Sequence, residues 1–433
     1  MFRYSAFVLS FYSVFGLVST SLAQAPNDQA LRQKAQKIHE KALTIDTHGD
    51  VPTYMVSHTD FDISEEHDAH KTGSRIDFPR MKKGGLDAMF FAVYLGQGPR
   101  TPEGNAQAKE KSMKLFESIH KSVKDHPDLA ELAKTPEDAY RIVKSGKRAV
   151  FIGIENGWTI GNDLSLLKTY YDLGARYMTL SHSSNNDIAD SSTDPKGPEH
   201  NGISPFGEKV VAEMNRLGMM VDISHVSDST FYDAIRLSKA PVIASHSSAR
   251  ALSNHPRNMT DDMIKLLAKK GGVVQMNMLT NYLITPKPNP ERDAAMQTLR
   301  EKYGNRSTLT EEEQKQRYAE LSEINRKYPQ ELATLQQVVD HIDHIVKLVG
   351  IDYVGIGADL DGGGGVTGMY DVSEAGNVTL ELVKRGYSAK DIEKIWSGNL
   401  FRVMKEVEKV AAELNKPAAG GKASTNSSSL KSR

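Results

Sequence analysis

The residues that could do chemistry fall in short motifs, each an imidazole or a carboxylate at the end of an apolar run. Leu43-Thr44-Ile45-Asp46-Thr47-His48-Gly49-Asp50 is a strand-like stretch ending in His48-x-Asp50. Side chains two apart on a strand leave from one face. His48 and Asp50 can therefore converge on one point, as a metal ion requires of an imidazole and a carboxylate. Glu155 closes another run, within Gly153-Ile154-Glu155-Asn156-Gly157. Three more end in Ser181-His182, Ser224-His225 and Ser245-His246, and the last in Asp359-Leu360-Asp361. A single histidine of this kind is usually a hydrogen-bonded core residue. A ring of them at equivalent positions of successive runs calls for a shared cause.

So many imidazoles and carboxylates exceed what one zinc needs. Two divalent ions about 3.5–4 Å apart would use them all. Glu155 is the natural bridge, with His48 and Asp50 completing one ion and His225 and His246 the other. Nitrogen and oxygen donors without thiolate favour zinc, and manganese or cobalt would also fit. A water between two such ions loses a proton near neutral pH, so hydrolysis of an amide or ester is the expected reaction.

Positioning these groups is the task of eight strand-like runs: Leu43 to Thr47, Ala88 to Tyr94, Ala149 to Ile154, Tyr177 to Ser181, Met219 to Ile223, Val242 to Ser245, Gly272 to Asn277 and Tyr353 to Gly357. Continuous apolar runs suit parallel strands buried on both faces. Helices separate most of them. Ser204-Pro205 opens one that Gly218 ends, Asp163 to Leu173 stops at Gly174, Thr260 caps a third, and Leu335 to Val349 runs to Gly350. The alternation predicts an α/β fold, a (β/α)8 TIM-type barrel, whose chemistry sits at the carboxyl ends of its strands. An open doubly wound sheet is the alternative, but no Gly-x-Gly-x-x-Gly follows the first strand. Gly362 to Gly365 lacks the Lys-Ser/Thr of a phosphate loop and reads as a flexible loop at the mouth of the site. Residues 284–334, charged and helix-prone, form a helical insertion after the seventh strand, either a lid or an oligomer contact.

Arg3, the apolar run Ala6 to Val18 and Ser19-Thr20-Ser21-Leu22-Ala23 describe a signal peptide over residues 1–23. Cleavage after Ala25 would put Pro26 beside the cut, and an uncleaved anchor would need a longer apolar run. The expected product is exported, periplasmic or secreted, and not inserted in the membrane. Residues 24–416 make up the barrel, and the Ser- and Gly-rich stretch 417–433 a disordered tail. Among 433 residues, 54 Lys and Arg balance 55 Asp and Glu, so no basic field argues for nucleic acid. The absence of cysteine excludes disulfides, thiolate-bound zinc and a thiol nucleophile.

In order, Asp46-Thr47-His48-Gly49-Asp50, Gly153-Ile154-Glu155-Asn156-Gly157, Leu180-Ser181-His182-Ser183-Ser184-Asn185, Val221-Asp222-Ile223-Ser224-His225-Val226-Ser227, Pro241-Val242-Ile243-Ala244-Ser245-His246-Ser247-Ser248 and Gly355-Ile356-Gly357-Ala358-Asp359-Leu360-Asp361-Gly362 resemble the membrane dipeptidase (renal dipeptidase) family of zinc peptidases, in its bacterial exported form. The likeness spans roughly Ala42 to Val407, apart from the insertion. It implies two zinc ions per chain on His48, Asp50, Glu155, His225 and His246, with Glu155 bridging. It places the substrate-contacting histidine on His182, the carboxylate-binding arginine on Arg257 and the proton-handling acid on Asp359. Arg257 also suits a planar carboxylate by its own chemistry. A homodimer follows from the resemblance alone. Two departures stand out. Leu279 occupies the place of a substrate-facing tyrosine, with Tyr282 further on, and the insertion is longer than in the animal enzymes.

The expected activity is hydrolysis of dipeptides, with a C-terminal D-residue left open. Two alternatives remain: another metal-dependent hydrolase of this barrel acting on a lactone, phosphoester or N-acyl amino acid, and a periplasmic binding protein that has lost catalysis.

Overall fold

The computed structural model describes residues 19–304 and 309–416. The tail and all but the last five residues of the expected leader lie outside them.

Nine parallel strands alternate with helices: β1 (Ile45–Gly49), β2 (Ala88–Tyr94), β3 (Ala130–Leu132), β4 (Arg148–Glu155), β5 (Ala175–Thr179), β6 (Met220–Asp222), β7 (Ile243–Ser247), β8 (Val273–Met276) and β9 (Val354–Ile356). Eight of them follow one another in the order β1-β2-β4-β5-β6-β7-β8-β9. Short β3, which the sequence did not reveal, pairs with the start of β4 on the edge that β5 takes further along. The barrel nearly closes. Between β9 and β1 the Asp50 amide donates to the Leu360 carbonyl at 2.9 Å, and the Ala358 amide to Asp46 at 2.9 Å.

Alternate residues of each strand face opposite ways, and two apolar clusters result. Ile45, Phe90, Phe151 and Tyr177 turn inward, with Phe90 stacked on Phe151 at 4.8 Å between centroids. Leu400, Phe401 and Met404 of the helix Asn399–Leu414 join this inner cluster and seal its amino-terminal end. Met89, Phe91 and Val93 face the surrounding helices. Apolar residues thus fill the lower barrel, leaving its carboxyl end for polar groups. Thr47 ties three staves together inside: its hydroxyl donates to the Ser245 carbonyl at 2.6 Å, with that of Ile356 at 3.1 Å.

The helix signals act as expected. Ser204 accepts from the Gly207 amide at 3.0 Å and opens Pro205–Leu217, which Gly218 ends at a φ of 84°. Thr260 caps Asp261–Lys269, and Leu335–Val349 follows a capping box at Thr334. The helix expected from Asp163 begins only at Leu166, because the Asp163 carboxylate accepts from Ser165 and holds a turn. The insertion is a hairpin of two helices, Pro290–Tyr303 and Glu311–Lys327, joined by Tyr303–Glu320 (2.8 Å) and Arg292–Asn325 (2.8 Å) hydrogen bonds. Among the described residues no helix is long and apolar enough to cross a membrane.

Because Thr47 is fully buried, Thr47→Val should lower stability by about 1–3 kcal/mol by stripping a donor from two buried carbonyls. A drop in the thermal midpoint with an unchanged far-UV spectrum checks it.

Candidate metal centre

The residues singled out in sequence converge at the carboxyl rim around Glu155, the last residue of β4. Its Oε2 lies 3.3 Å from His48 Nε2, which stands 3.5 Å from Asp50 Oδ2. Its Oε1 lies 2.9 Å from His225 Nε2, 3.4 Å from His246 Nε2 and 3.5 Å from His182 Nε2. One carboxylate thus faces β1 with one oxygen and, with the other, the histidines that follow β5 and β6 and the one within β7. Three groups have donor atoms all within 4.8 Å of one another: His48–Glu155–His246, Glu155–His182–His225 and His48–Asp50–Asp359. Asp361 lines the same cavity but is engaged elsewhere, accepting from the Arg75 amide and the Ser74 hydroxyl.

Divalent cations fit this donor set. His48 Nε2 and Asp50 Oδ1 are buried with no hydrogen-bond partner, an arrangement that costs stability unless something binds there. His225 and His246 point their Nε2 atoms at each other across 2.9 Å. Burial holds both rings well below the usual imidazole pKa, and the Arg257 charge adds to that, so each offers a lone pair. Burial likewise raises Glu155. Asp359 is pushed up to about 7 by burial; Asp50 and Glu155 reinforce the shift, against the opposing pull of His48 and Asn277.

Outer hydrogen bonds orient the rings. The Tyr177 hydroxyl donates to the Thr47 carbonyl at 3.0 Å, so its oxygen accepts from His48 Nδ1 at 2.8 Å and turns the Nε2 lone pair inward. The Ser245 hydroxyl donates to Asp222 at 2.6 Å and accepts from His246 Nδ1 at 2.8 Å. Asp222 also accepts from the Ser224 and Ser245 amides and the Thr179 hydroxyl. Asn277 donates to Asp359 Oδ2 at 3.0 Å. Sequence reasoning assigned Tyr177, Asp222 and Asn277 no role. For Tyr177 and Asp222 the one available signal was that each lies in a strand followed by a histidine of the cluster; Asn277, beside β8, had none.

Two glycines make room for these contacts. A Cβ on Gly153 would come within 2.0 Å of the Tyr177 ring, and one on Gly362 within 2.1 Å of Asp359 and 2.3 Å of Asp50. The Gly362–Gly365 turn does lie at the mouth, but close packing, not flexibility, explains its glycines; the Gly364 amide donates to the Asp359 carbonyl at 2.8 Å. His225 (φ 69°) and Asp359 (φ 61°) hold left-handed backbone, a strain that accumulates at functional sites.

Arg257 is buried beside the imidazoles, with Nη2 on the His246 carbonyl at 3.1 Å and its guanidinium 5.2 Å from the centre of the Tyr282 ring. Its Nε and Nη1 have no hydrogen-bond partner. Tyr282 and Leu279 both line the cavity over the cluster, about 240 Å³ in volume, with Asp50, Glu155, His182 and Asp359.

The model of the family described as membrane dipeptidase (peptidase family M19) matches residues 32–418. A dipeptidase of Claviceps purpurea, tcpJ, is 32% identical over 373 residues, 85% of this chain and 77% of its own. The Aspergillus oryzae dipeptidase aclJ is 33% identical over 345 residues, 78% and 72% of the two chains. The crystal structure of the probable dipeptidase PvdM from Pseudomonas aeruginosa superposes with a TM-score of 0.76 at 31% identity, covering 88% of this chain and all of that one.

Tyr177→Phe leaves His48 free to turn and to change tautomer. Metal retention, read by competition with a chromogenic chelator, should weaken by about 10–100-fold, and the metal-free protein should lose about 1–3 kcal/mol of stability because the Thr47 carbonyl and His48 Nδ1 lose a buried partner.

Proposed function

The chain belongs to the membrane dipeptidase family of metallo-dipeptidases, and from that premise we propose that it cleaves free dipeptides using two zinc ions that share Glu155. The observation that carries this reading is the division of Glu155, one oxygen toward His48 and the other toward His225 and His246. His48 and Asp50 would hold one ion, and His225 and His246 the other. Bound there, such cations lower the pKa of water and polarise a carbonyl oxygen.

The remaining steps belong to side chains. Arg257 supplies the fixed positive charge for the α-carboxylate of the substrate, with Nε and Nη1 lacking a hydrogen-bond partner among the described residues. A guanidinium gives such a carboxylate a charge-assisted hydrogen bond. One fixed cation this near the hydrolytic groups requires the terminal carboxylate one residue from the scissile bond, so a single residue lies beyond that bond and the small cavity limits the other side. A cavity of about 240 Å³ agrees with that limit, being smaller than the roughly 300–1,000 Å³ of ordinary ligand pockets. Arg257 reads the carboxylate and not the side chain beside it, so the proposal extends to a C-terminal D-residue.

His182, the most exposed imidazole of the cluster at 17%, orients the peptide carbonyl. Asp359 takes a proton from the attacking water on Oδ1, the oxygen that Asn277 leaves free, and delivers it to the departing amine. Export rests on the charge and apolar pattern of residues 1–23, and a homodimer on family likeness.

Elemental analysis of the purified protein should find two zinc ions per chain. Hydrolysis of L,L- and L,D-dipeptides should vanish on chelation and return with zinc; a metal-replete protein inert toward every dipeptide would overturn the reading. Arg257→Ala should raise KM for free dipeptides by about 10–100-fold, the equivalent of one charge-assisted pair, and change little for C-terminally amidated ones. Equal losses on both would show that Arg257 is not the carboxylate clamp.

A further inference from the structure

The helical insertion reaches the site. Helix Glu311–Lys327 is charged and largely exposed, yet Tyr318 turns a half-buried ring toward the barrel rim. That ring meets Tyr54 edge-on at 6.2 Å between centroids and His58 at 5.5 Å. Tyr54 is a fixed platform. It belongs to the helix Val51–Ser57, which begins directly after Asp50, and is only 8% exposed. It stacks on His58 at 3.9 Å, meets Phe61 edge-on at 4.9 Å, and its hydroxyl donates to the Thr72 carbonyl. Tyr54 and Tyr318 line the same cavity as Glu155 and Asp359.

Topology says which part of a substrate would meet them. Arg257 follows β7 and donates to the His246 carbonyl, and Tyr54 follows β1 one helical turn beyond Asp50; His246, Glu155, His48 and Asp50 link the two through successive contacts of 3.1, 3.4, 3.3 and 3.5 Å. A dipeptide whose carboxylate is held at Arg257, as the reading above requires, crosses that cluster and presents its amino-terminal residue toward Tyr54 and Tyr318. We propose that Tyr318 is a specificity-determining residue: with Tyr54 it forms an aromatic wall that favours dipeptides beginning with a bulky apolar or aromatic residue. The insertion then acts by completing a subsite, adding a ring beside Tyr54 at the rim of the cavity. Edge-on aromatic pairs add to the gain from burying apolar area, so a third ring carried by the substrate would be stabilised where glycine gains nothing.

The test is the ratio of kcat/KM for Phe-Ala over Gly-Ala, measured with the zinc-loaded full chain. The wild type should favour Phe-Ala by at least ~10-fold, the order expected from burying one large side chain. Tyr318→Ala should cut that ratio about tenfold, mostly through KM for Phe-Ala, and Tyr318→Phe should keep it. A wild-type ratio near one, or a Tyr318→Ala variant that slows both substrates equally, overturns the proposal while leaving dipeptide hydrolysis intact. Failure of the wild type to cleave either dipeptide removes this proposal and the reading it rests on together.

Discussion

A buried carboxylate surrounded by histidine rings is the constraint that shapes this protein. Glu155 is 3% exposed, and a charge so far from water is tolerated only when paired and hydrogen-bonded or when it binds a cation. Four Nε2 atoms stand within 3.5 Å of its two oxygens. Against the effect of burial, Tyr177, Glu155 and Asp50 hold His48 toward its charged form, whereas His225 and His246 are pushed firmly toward the neutral form by burial and cannot offset such a charge as a cation would. The cluster is therefore unfavourable as a bare assembly of side chains, and the rest of the fold holds it in place. Stability given up in this way is the usual cost of a preorganised site.

The barrel holds the cluster through fully buried groups such as Asp222 and Tyr177. Asp222 gathers two amides and two hydroxyls at the end of β6, and one of those hydroxyls sets the tautomer of His246 on the next strand. Tyr177 does the same for His48 from across the barrel, and its ring fits only because residue 153 lacks a side chain. These links tie separate strands, so the position of each ligand depends on the register of its neighbour. Apolar rings fill the barrel below, and the site opens only at the carboxyl rim, where the loops and the insertion decide what enters.

Much of this was legible in the chain. Apolar runs with little polar interruption marked the eight parallel strands, and Ser204, Thr260 and Gly218 marked helix ends, since capping and left-handed turns are local chemistry. Histidine and acid at the ends of those runs marked the side chains that gather around Glu155. Less visible were β3, too short at three residues to leave a pattern, and the first strand's true extent to Gly49, which pairing with Phe91 of β2 and with Leu360 beyond β9 decides. The glycines at 362–365 suggested a loose loop because composition alone does not distinguish flexibility from close approach.

The sequence by itself determined the fold class, the family and the set of donor atoms, because hydrophobic period, caps and ligand type are properties of residues and their near neighbours. Only the tertiary structure decided which Glu155 oxygen meets which imidazole, that Tyr177 and Asp222 orient the rings, and that Tyr318 of the insertion stands beside Tyr54. Those contacts join positions tens to hundreds of residues apart. Their geometry comes from strand register, barrel curvature and the lean of a helical hairpin, none of which is written in any local stretch of the chain.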